Sequence, residues 1–330
     1  MEKIRRILYS LLAFIFSGCF SARIPANSFS IVNWNVQTFF DGNCDGTEYS
    51  NFTKSQIWGK ESYKKRLEKL CAAINSINAD IFVFEEIENS GILYDITNFM
   101  SSKSWNTKDS WQYGAFSKNP GDAIGCAVIS KFPISEVTIH NIDIRTENSG
   151  QPAMRPLMKL NIIFEGKDFC VFVSHWKSKS GGAEESEVWR NWQESILAKK
   201  INEHKNFPVL ACGDFNRDIS EFKAAEYKSG KNGQNIELRT FYTPENENAP
   251  VYSPWLATSG ELEEPGSYYF KDTWERIDHF FANDKITIKN FEVLTEGNWC
   301  DENFIPKAYK IYTGEGYSDH LPIKCIATAN

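Results

Sequence analysis

Apolar residues along the chain follow two kinds of spacing, one typical of short strands and one typical of helices. Helices are predicted over residues 61–77 and 184–201, and Val188, Trp192 and Ile196 form the predicted inward face of the second. Residues 232–266 are polar and carry Pro and Gly, which predicts a long irregular segment. Strands are predicted over residues 28–36, 80–84, 125–129, 134–142, 157–164, 169–174, 208–212, 277–282, 286–294 and 321–327.

These elements follow one another without an internal repeat or a linker rich in Ser, Gly or Pro. We therefore expect residues 28–330 to form a single α+β domain built on packed sheets. The composition, 42% hydrophobic and 24% charged over 330 residues, is that of an ordinary globular protein. A net charge of −7 argues against a protein that holds nucleic acid mainly through a basic surface. It leaves room for an enzyme whose few phosphate contacts are aided by metal ions.

The N-terminal residues have the pattern of an export signal. Lys3, Arg5 and Arg6 precede an apolar run over residues 7–16, which is too short to span a membrane. The following Ser-Gly-Cys resembles a bacterial lipobox, in which Cys19 becomes the lipidated first residue. We predict a signal peptide over 1–18, an anchor or linker over 19–27, and an exported lipoprotein held at a membrane through Cys19. A plain signal peptide cleaved nearby is the alternative, and the choice between periplasm and cell surface stays open.

The cysteines do not form the pattern of a disulfide-rich protein, because seven of the eight lie beyond Cys19 and that number is odd. Cys44 and Cys300 lie in loop-like sequence, and a pairing between them stays open. The other five lie in apolar runs and are predicted to be buried thiols: Cys71, Cys126, Cys170, Cys212 and Cys325.

Polar side chains interrupt the apolar strands near their ends. A buried polar group is costly unless it is paired, so each interruption calls for a partner. Carboxylates, amides and imidazoles that converge from strand ends suit a hard divalent cation such as Mg²⁺, a phosphate ester and the movement of a proton. The residues at these places are Asn35, Glu85, Glu86, His175, Asp214, Asn216, Asp319 and His320.

Several of these residues also fall into short motifs with a recognisable order. The motifs are Trp34-Asn35-Val36, Glu85-Glu86-Ile87, Gly213-Asp214-Phe215-Asn216, Arg276-Ile277-Asp278 and Ser318-Asp319-His320. In this order, and over nearly all of the chain beyond the signal, they resemble the endonuclease/exonuclease/phosphatase superfamily. The resemblance implies a four-layered α/β sandwich, with two packed mixed sheets flanked by helices. It also implies metal-dependent hydrolysis of a phosphoric ester.

Two further segments resemble secreted nucleases of that superfamily. The segment His-Trp-Lys-Ser-Lys that begins at His175 is similar to a motif of bacterial extracellular nucleases. Arg155 falls where those enzymes carry an arginine that contacts phosphate. Glu88 and Asn89 stand where pancreatic deoxyribonuclease has an arginine that enters the minor groove of DNA, which argues against duplex DNA as the substrate.

The resemblance assigns a metal site and a proton-handling pair. Glu86, with Asn35 and Asp319 nearby, is expected to hold Mg²⁺ or Mn²⁺. Asp278 is expected to hold His320, which takes the proton of the attacking water. Whether one or two metals act stays open.

The remaining roles concern the water and the phosphate. Asp214 is expected to help position the attacking water, and Asn216 and His175 to donate hydrogen bonds to the phosphate. His175 is also the candidate for protonating the leaving group, with Asp122 as its candidate partner. For Arg155, a phosphate contact and an ion pair at a strand edge both stay open.

Each of these residues also has a plainer interpretation. Asn35 can satisfy backbone groups at a strand end, and His175 can be a core histidine. Glu85 and Glu88 are predicted to be solvated charges, and no role is expected for His140, His204 and His279. Because His279 follows Asp278 on the same strand, it should face away from the site.

The sequence therefore predicts an exported, metal-dependent phosphodiesterase, a nuclease with DNA or RNA as its substrate. One alternative is a phosphoesterase of the same fold that acts on sphingomyelin or a phosphoinositide. Another is a binding lipoprotein without catalysis, which would be expected to have lost some of the motif residues. Endonuclease and exonuclease action both stay open, and no protein partner is predicted.

Overall fold

The computed structural model describes most of the chain beyond the predicted signal. The described residues are 27–103, 105, 110–142, 150–225, 234–242, 247–256 and 262–330. Cys19, the signal peptide over 1–18 and nearly all of the linker over 19–27 lie outside them. Among the described residues, none of the helices has both the length and the apolar character needed to cross a membrane.

Strands outnumber helices in the described residues. The helices are α1 (Ser50–Thr53), α2 (Lys60–Ile77), α3 (Gly91–Ser102) and α4 (Ala183–Glu203). The strands are β1 (Phe29–Phe39), β2 (Ile81–Ile87), β3 (Tyr113–Ser117), β4 (Gly125–Ser130), β5 (Ile134–His140), β6 (Leu157–Phe164), β7 (Lys167–His175), β8 (Val209–Asp214), β9 (Lys223–Ala224), β10 (Gln234–Leu238), β11 (Ala249–Ser253), β12 (Tyr268–Phe270), β13 (Thr273–Glu275), β14 (Asp278–Ala282), β15 (Ile286–Val293) and β16 (Ile323–Ala329).

The strands form two large sheets and one hairpin. The six-stranded sheet has the order β15-β16-β1-β2-β4-β3, and the eight-stranded sheet has the order β5-β6-β7-β8-β14-β11-β10-β9. Within each sheet one pair is parallel, β1 with β2 and β7 with β8, and the other neighbours are antiparallel. Helical crossovers make these parallel pairs, since α2 lies between β1 and β2 along the chain and α4 lies between β7 and β8.

The two sheets pack face to face, with helices on the outside. Phe29 of β1 stacks on Phe169 of β7 across the sheet interface, with ring centroids 4.4 Å apart. On the other side of the six-stranded sheet, Tyr63 of α2 packs against Phe39 of β1. α4 contacts β10 and β11 of the eight-stranded sheet. This confirms the predicted sandwich of two packed mixed sheets flanked by helices.

The irregular segment predicted over 232–266 is wrong in its described part, because β10 and β11 lie within it and pair antiparallel. Ile236 and Leu238 of β10 are buried, as are Val251 and Tyr252 of β11. The apolar positions of these short strands are too few to stand out from their polar neighbours in a window of sequence.

The predicted inward face of α4 is also wrong. Val188 is 46% exposed, and Trp192 and Ile196 are only partly buried. The buried residues of α4 are Ser186, Arg190, Gln193, Glu194, Leu197, Ala198 and Ile201. A charge can be buried when it is paired, and Glu194 forms a buried ion pair with Arg217. A count of apolar residues therefore indicates the wrong side of this helix.

The described cysteines are all free thiols. The five predicted to be buried are buried, which confirms that prediction. The pairing left open between Cys44 and Cys300 is absent. Cys300 is buried and donates to the carbonyl oxygen of Thr295 at 2.9 Å, whereas Cys44 is exposed.

Candidate active site

The register of the eight-stranded sheet places three of the predicted residues side by side. In the parallel pair, His175 at the end of β7 lies opposite Asp214 at the end of β8. In the next, antiparallel pair, Asp278 at the start of β14 lies opposite Asp214. The carboxyl ends of β7 and β8 and the amino end of β14 therefore meet at one edge of the sheet.

The six-stranded sheet contributes Asn35 and Glu86 through irregularities at the ends of β1 and β2. The pairing of β1 with β2 shifts register between Asn35 and Phe39, and the pairing of β2 with β4 shifts between Glu85 and Ile87. Glu86 has a φ of 67°, a left-handed conformation that is uncommon for a residue with a side chain. The bulge turns Glu86 away from simple strand alternation and into the site.

Asn35 joins the two sheets. Its Nδ2 donates to Glu86 Oε1 at 3.2 Å and to Asp214 Oδ2 at 2.9 Å. Its Oδ1 accepts a hydrogen bond from the backbone N–H of Gln37 at 2.9 Å, while Thr38 donates its N–H to Glu86 Oε2. Asn35 is therefore more than a strand-end residue that satisfies backbone groups, since it fixes two carboxylates relative to each other.

His320 is held against Asp278, as the resemblance implies. His320 Nδ1 lies 2.8 Å from Asp278 Oδ2, and its Nε2 lies 3.9 Å from Asp214 Oδ2. Burial alone would lower the pKa of His320, but the charge and hydrogen bond of Asp278 raise it well above its ordinary value. Burial raises the pKa of Asp214 to about 7, with Asp278 acting in the same direction and His320 opposing it. On its outer side the His320 ring lies 4.7 Å from that of Tyr268.

His175 lies next to the same carboxylates, but its pKa shifts in the opposite direction to that of His320. Its Nε2 is 3.5 Å from Asp214 Oδ2 and 4.0 Å from Glu86 Oε1. Burial, with the charges of Arg155 and His320, lowers the pKa of His175 well below its usual range. A neutral imidazole can donate a hydrogen bond, but burial opposes the cationic form that a leaving-group acid requires.

The predicted pairing of His175 with Asp122 is wrong. Asp122 Oδ2 accepts a hydrogen bond from Asn119 at 3.1 Å, and His175 Nδ1 has no hydrogen-bond partner among the described residues. Asp122 lies in the loop before β4, and the side chain of Asn119, anchored on the carbonyl oxygen of Met154, holds it there.

Two donors share the carbonyl oxygen of Trp176 at the rim of the site. Asn216 Nδ2 donates to it at 3.3 Å and Arg155 Nη1 at 3.4 Å. Asn216 also donates its backbone N–H to Asp214 Oδ1 at 2.9 Å. Arg155 forms no ion pair with any carboxylate in the described ranges, so the strand-edge ion pair is absent there. Its charge remains available to an anion.

The residues predicted to hold a divalent cation fit that task by their chemistry. Glu86 is the most accessible of the clustered carboxylates, with 19% of its side chain exposed against 3% for Asp214 and 1% for Asp278. Asp319 is half-buried and has no hydrogen bond or ion pair in the described part of the chain. Amide and carboxylate oxygens are the ligands that Mg²⁺ and Mn²⁺ prefer.

A second grouping of possible ligand atoms joins Asp214, Asp278 and His320 within 4.8 Å of one another. His320 Nδ1 is already engaged by Asp278, which leaves only Nε2 for another partner. These three residues therefore form a hydrogen-bonded chain suited to moving a proton. The metal ligands are better drawn from the oxygen atoms around Glu86.

The loop after β7 is anchored by buried groups of α4. Lys177 donates its N–H to Gln193 Oε1 at 2.8 Å, and its carbonyl oxygen accepts from Arg190 Nη1 at 3.1 Å. Next to this loop, His279 lies on the far side of β14, and its Nε2 is 2.8 Å from the carbonyl oxygen of Arg217. The expectation that His279 faces away from the site is confirmed.

Three residues were misjudged or missed by the sequence. Glu85 and Glu88 are wholly buried rather than solvated, at 0% and 1% exposure. For Glu85 the reason is the bulge at Glu86, which lets the consecutive carboxylates of Glu85 and Glu86 both turn inward. Burial raises the pKa of Glu85 well above its ordinary value, and Asp278 and Asp214 act in the same direction. Arg66 was missed, although a charged residue in the middle of the apolar face of α2 could have indicated a buried role.

Arg66 of α2 supports the end of β1 through hydrogen bonds to its backbone. The guanidinium donates to the carbonyl oxygens of Val36 at 2.9 Å, Thr38 at 3.0 Å and Gln37. It lies over the ring of Tyr309, 3.8 Å from its centroid. Arg66 thus fixes the backbone whose N–H groups bind Asn35 and Glu86.

The comparisons with known proteins agree with this geometry. A sequence profile described as the Endonuclease/Exonuclease/phosphatase family matches residues 30–327, nearly the whole described domain. The chain belongs to the endonuclease/exonuclease/phosphatase family. The resemblance carried by its five short motifs is thereby confirmed.

Individual relatives of this family member are distant. Nocturnin of Rattus norvegicus is 26% identical over 151 residues, which is 44% of this chain and 34% of that protein. Human nocturnin is 27% identical over 109 residues, 31% of this chain and 24% of that protein. The chain therefore matches about a third or less of the length of these curated relatives.

Solved structures of the family share the fold. The Caenorhabditis elegans TDP2 crystal structure has a TM-score of 0.57 at 16% identity, covering 94% of this chain and 78% of that one. The human Nocturnin catalytic domain with bound sulfate has a TM-score of 0.56 at 16% identity, covering 92% and 95%. Danio rerio TDP2 with a single-strand DNA product has a TM-score of 0.55 at 16% identity, covering 92% and 99%.

Proposed function

We propose that this family member is a metal-dependent phosphodiesterase whose substrate is nucleic acid. The observation that carries the proposal is the connected set of Asn35, Glu86, Asp214, Asp278 and His320 where the two sheets meet. A non-catalytic binding protein would have no need to keep this set intact. A relative bound to a single-strand DNA product supports nucleic acid as the substrate class.

The metal would be held by Glu86, Asn35 and Asp319. A divalent cation bound there would polarise a phosphoryl oxygen and stabilise the leaving oxygen. Asn35 keeps Glu86 in place, and Thr38 orients its second oxygen. These contacts leave lone pairs on both Glu86 oxygens for a cation.

The proton of the attacking water passes to groups of this chain. His320 Nε2 and Asp214 Oδ2, 3.9 Å apart, are too far apart to bond each other directly and can both face one water. Asp278 fixes the ring so that Nε2 points to that water, and it stabilises the imidazolium that forms.

The phosphate is bound by donors around the same edge. Neutral His175 and the amide of Asn216 can each donate a hydrogen bond to the charge that develops on the phosphate. Arg155, with no carboxylate partner in the described ranges, supplies a full positive charge at the rim. Lys177, half-buried in the neighbouring loop, adds a second.

The proposal is tested by measuring hydrolysis of four substrates: single-stranded DNA, duplex DNA, RNA and sphingomyelin. EDTA-treated protein should be inactive on all of them, and Mg²⁺ or Mn²⁺ should restore cleavage of nucleic acid. Glu86→Gln should raise the Mg²⁺ concentration needed for half-maximal rate, whereas the exposed Asp168→Asn should not. Full activity without metal would contradict the proposal, and faster hydrolysis of sphingomyelin would favour the lipid phosphodiesterase instead.

We also propose that the protein is an exported lipoprotein attached through Cys19. The support is the basic, apolar and Ser-Gly-Cys sequence of residues 3–19. Cys19→Ala should move the protein out of the membrane fraction without changing the kcat of the released domain. Unchanged partition into membranes would show that Cys19 carries no lipid.

A further inference from the structure

Two cations beside the active site have no carboxylate partner. Acidic residues outnumber basic ones in this chain, 43 to 36, so carboxylates are plentiful. Within the described ranges, however, neither Arg155 nor Lys177 has a carboxylate oxygen at ion-pair distance. Lys179, two positions further along the same loop, lies 2.8 Å from Glu221 and 3.8 Å from Glu275. One lysine of this loop is therefore neutralised by the fold, and the other is not.

Arg155 and Lys177 are held against the same stretch of backbone. Arg155 Nη1 donates to the carbonyl oxygen of Trp176, the residue directly before Lys177, at 3.4 Å. Lys177 Nζ donates to the carbonyl oxygen of Ser178 at 3.2 Å. Burial lowers the pKa of Lys177, and the charges of Arg155 and Arg190 act in the same direction. Repulsion between neighbouring cations opposes folding, and a bound anion would remove it.

Tyr49 reaches the same rim from the loop after β1. Burial raises the pKa of Tyr49, the charge and hydrogen bond of Arg155 oppose this, and the charge of Glu86 acts with burial. The ring packs edge-on against Phe40 at 5.6 Å, and the carbonyl oxygen of Tyr49 accepts the N–H of Phe52 at 2.8 Å. With 41% of the residue exposed, Tyr49 adds an accessible hydroxyl beside the guanidinium.

A single phosphate does not need all of these donors. The phosphodiester to be hydrolysed carries one negative charge, and its oxygens face the proposed metal, His175 and Asn216. Arg155 lies at the edge of that set, because it and Asn216 donate to the same carbonyl oxygen. Lys177 Nζ is held further along the loop, at Ser178. The remaining positive charge therefore suits a second anion next to the first.

We propose that Arg155, Lys177 and Tyr49 form a second phosphate subsite, which binds the phosphate next to the one that is hydrolysed. The inference rests on the proposed function, since it takes the phosphodiester at Glu86 as the first site. Arg155 lies between the two phosphates, and Lys177 supplies the charge for the second. Substrates with two neighbouring phosphates, such as a nucleic acid chain, are then preferred over a lone phosphodiester such as sphingomyelin.

The first test measures binding without turnover. Fluorescence anisotropy gives the affinity of the full-length protein for a labelled single-stranded oligothymidylate, in EDTA and at several salt concentrations. For single strands, each phosphate neutralised by a basic side chain adds about −0.7 to the slope of log K against log salt concentration. Lys177→Gln should therefore make the slope shallower by about 0.7. Lys179→Gln, whose charge is already paired with Glu221, is the matched control and should keep the wild-type slope.

The second test locates the bound phosphate. In Mg²⁺, kcat/KM is measured for the dinucleotide that is cleaved faster, TpT or UpU, and for the same dinucleotide with an added 5′ or 3′ phosphate. One phosphorylated form should be cleaved about tenfold faster, the worth of one charge-assisted hydrogen bond. Lys177→Gln should lose most of this ratio, and Lys179→Gln should keep it. Tyr49→Phe, which keeps the ring against Phe40, should lower the ratio mainly through a higher KM.

Two results would overturn the subsite. One is an equal salt slope for Lys177→Gln and Lys179→Gln, and the other is a wild-type ratio near one for both phosphorylated dinucleotides. Failure of the proposed function gives a different result. The protein would then cleave neither dinucleotide in Mg²⁺ or Mn²⁺, while Lys177→Gln would still change the salt slope and so support an anion site at the rim.

Discussion

Single residues of this site make several contacts at once. The Asn35 side chain bonds Glu86, Asp214 and the backbone of Gln37, and no other residue type supplies two donors and an acceptor in that space. Replacing it by aspartate would set three carboxylates against one another. The geometry of the proposed metal ligand Glu86 and of the proposed proton-handling residue Asp214 therefore depends on one amide.

The pairing of Asp278 with His320 gives a prediction about pH. Asp278→Asn keeps the shape and removes the charge that raises the pKa of His320. The variant should lose rate, and the limb of its kcat/KM profile assigned to His320 should move to lower pH. His320→Ala should lose about 10²–10⁴ in rate at all pH values. An unmoved limb with undiminished rate would show that the pair is structural.

The same pair contributes to stability with a definite sign. Because the pKa of His320 is higher in the folded state, its contribution is complete below the ordinary value of about 6.5. It is lost as the pH rises through the folded value. Asp278→Asn should therefore lower the free energy of unfolding more at pH 6 than at high pH. Urea unfolding of the variant and the wild type measures this difference.

Most of these residues could be predicted from the sequence because polar groups at the ends of apolar strands are rare and costly. Glu85 could not be, since strand alternation places it on the face opposite Glu86. The bulge that places both inward shows only in the left-handed φ of Glu86. A local change of backbone therefore defeats a rule based on alternation.

At the scale of elements, the end of β1 is an irregular strand that a helix stabilises. Gln37 and Thr38 both have positive φ, at 51° and 45°, and non-Gly residues adopt such values at a cost. Arg66 of α2 donates to three successive carbonyl oxygens there. The guanidinium has no carboxylate within ion-pair distance in the described ranges, so its task is to hold the backbone.

Arg66→Met tests that task, because methionine fills similar space without donors. We expect a loss of about 3 kcal/mol in the free energy of unfolding, since buried carbonyl groups are left unsatisfied. The Mg²⁺ concentration for half-maximal rate should rise, because Asn35 and Glu86 lose their backbone support. Arg66→Lys should recover part of both effects. Unfolding and Mg²⁺ dependence equal to wild type would contradict this role.

Elements with many apolar residues were predicted well, and those that bury polar groups were not. β6 matches its predicted range, and most of the other predicted strands agree with an observed strand within two residues. The inward face of α4 was wrong because Glu194 is buried through its partner Arg217, which lies 23 positions later. Pairing between distant residues is invisible to a local count.

At the scale of the whole molecule, buried histidines set the response to acid. Burial lowers the pKa of His279 to about 4, although a contact with the carbonyl oxygen of Arg217 opposes this. A depressed value means that stability present above the ordinary pKa of about 6.5 is lost as the pH falls toward 4. The loss amounts to about 3 kcal/mol, at about 1.4 kcal/mol for each pH unit.

His279→Phe should remove this part of the acid sensitivity, because phenylalanine does not titrate and its neighbours are aromatic rings. The free energy of unfolding should therefore change less between pH 7 and 4.5 in the variant than in the wild type. Val188→Ala, at an exposed position, removes no titratable group, so it serves as the control and should follow the wild-type curve. A variant with the full wild-type pH dependence would show that other groups cause it.

The contacts between β1 and the segment before β16 have a consequence for protein synthesis. Ser318 Oγ donates to the carbonyl oxygen of Asn35 across 283 positions, and Trp34 donates to that of His320. At roughly 5–20 residues per second, a ribosome needs about 15–60 s to cover that distance. Until then a growing chain holds Asn35 and Glu86 but lacks His320, the proposed proton acceptor. If the enzyme cleaves RNA, the unfinished chain therefore does not cleave the messenger RNA from which it is being translated.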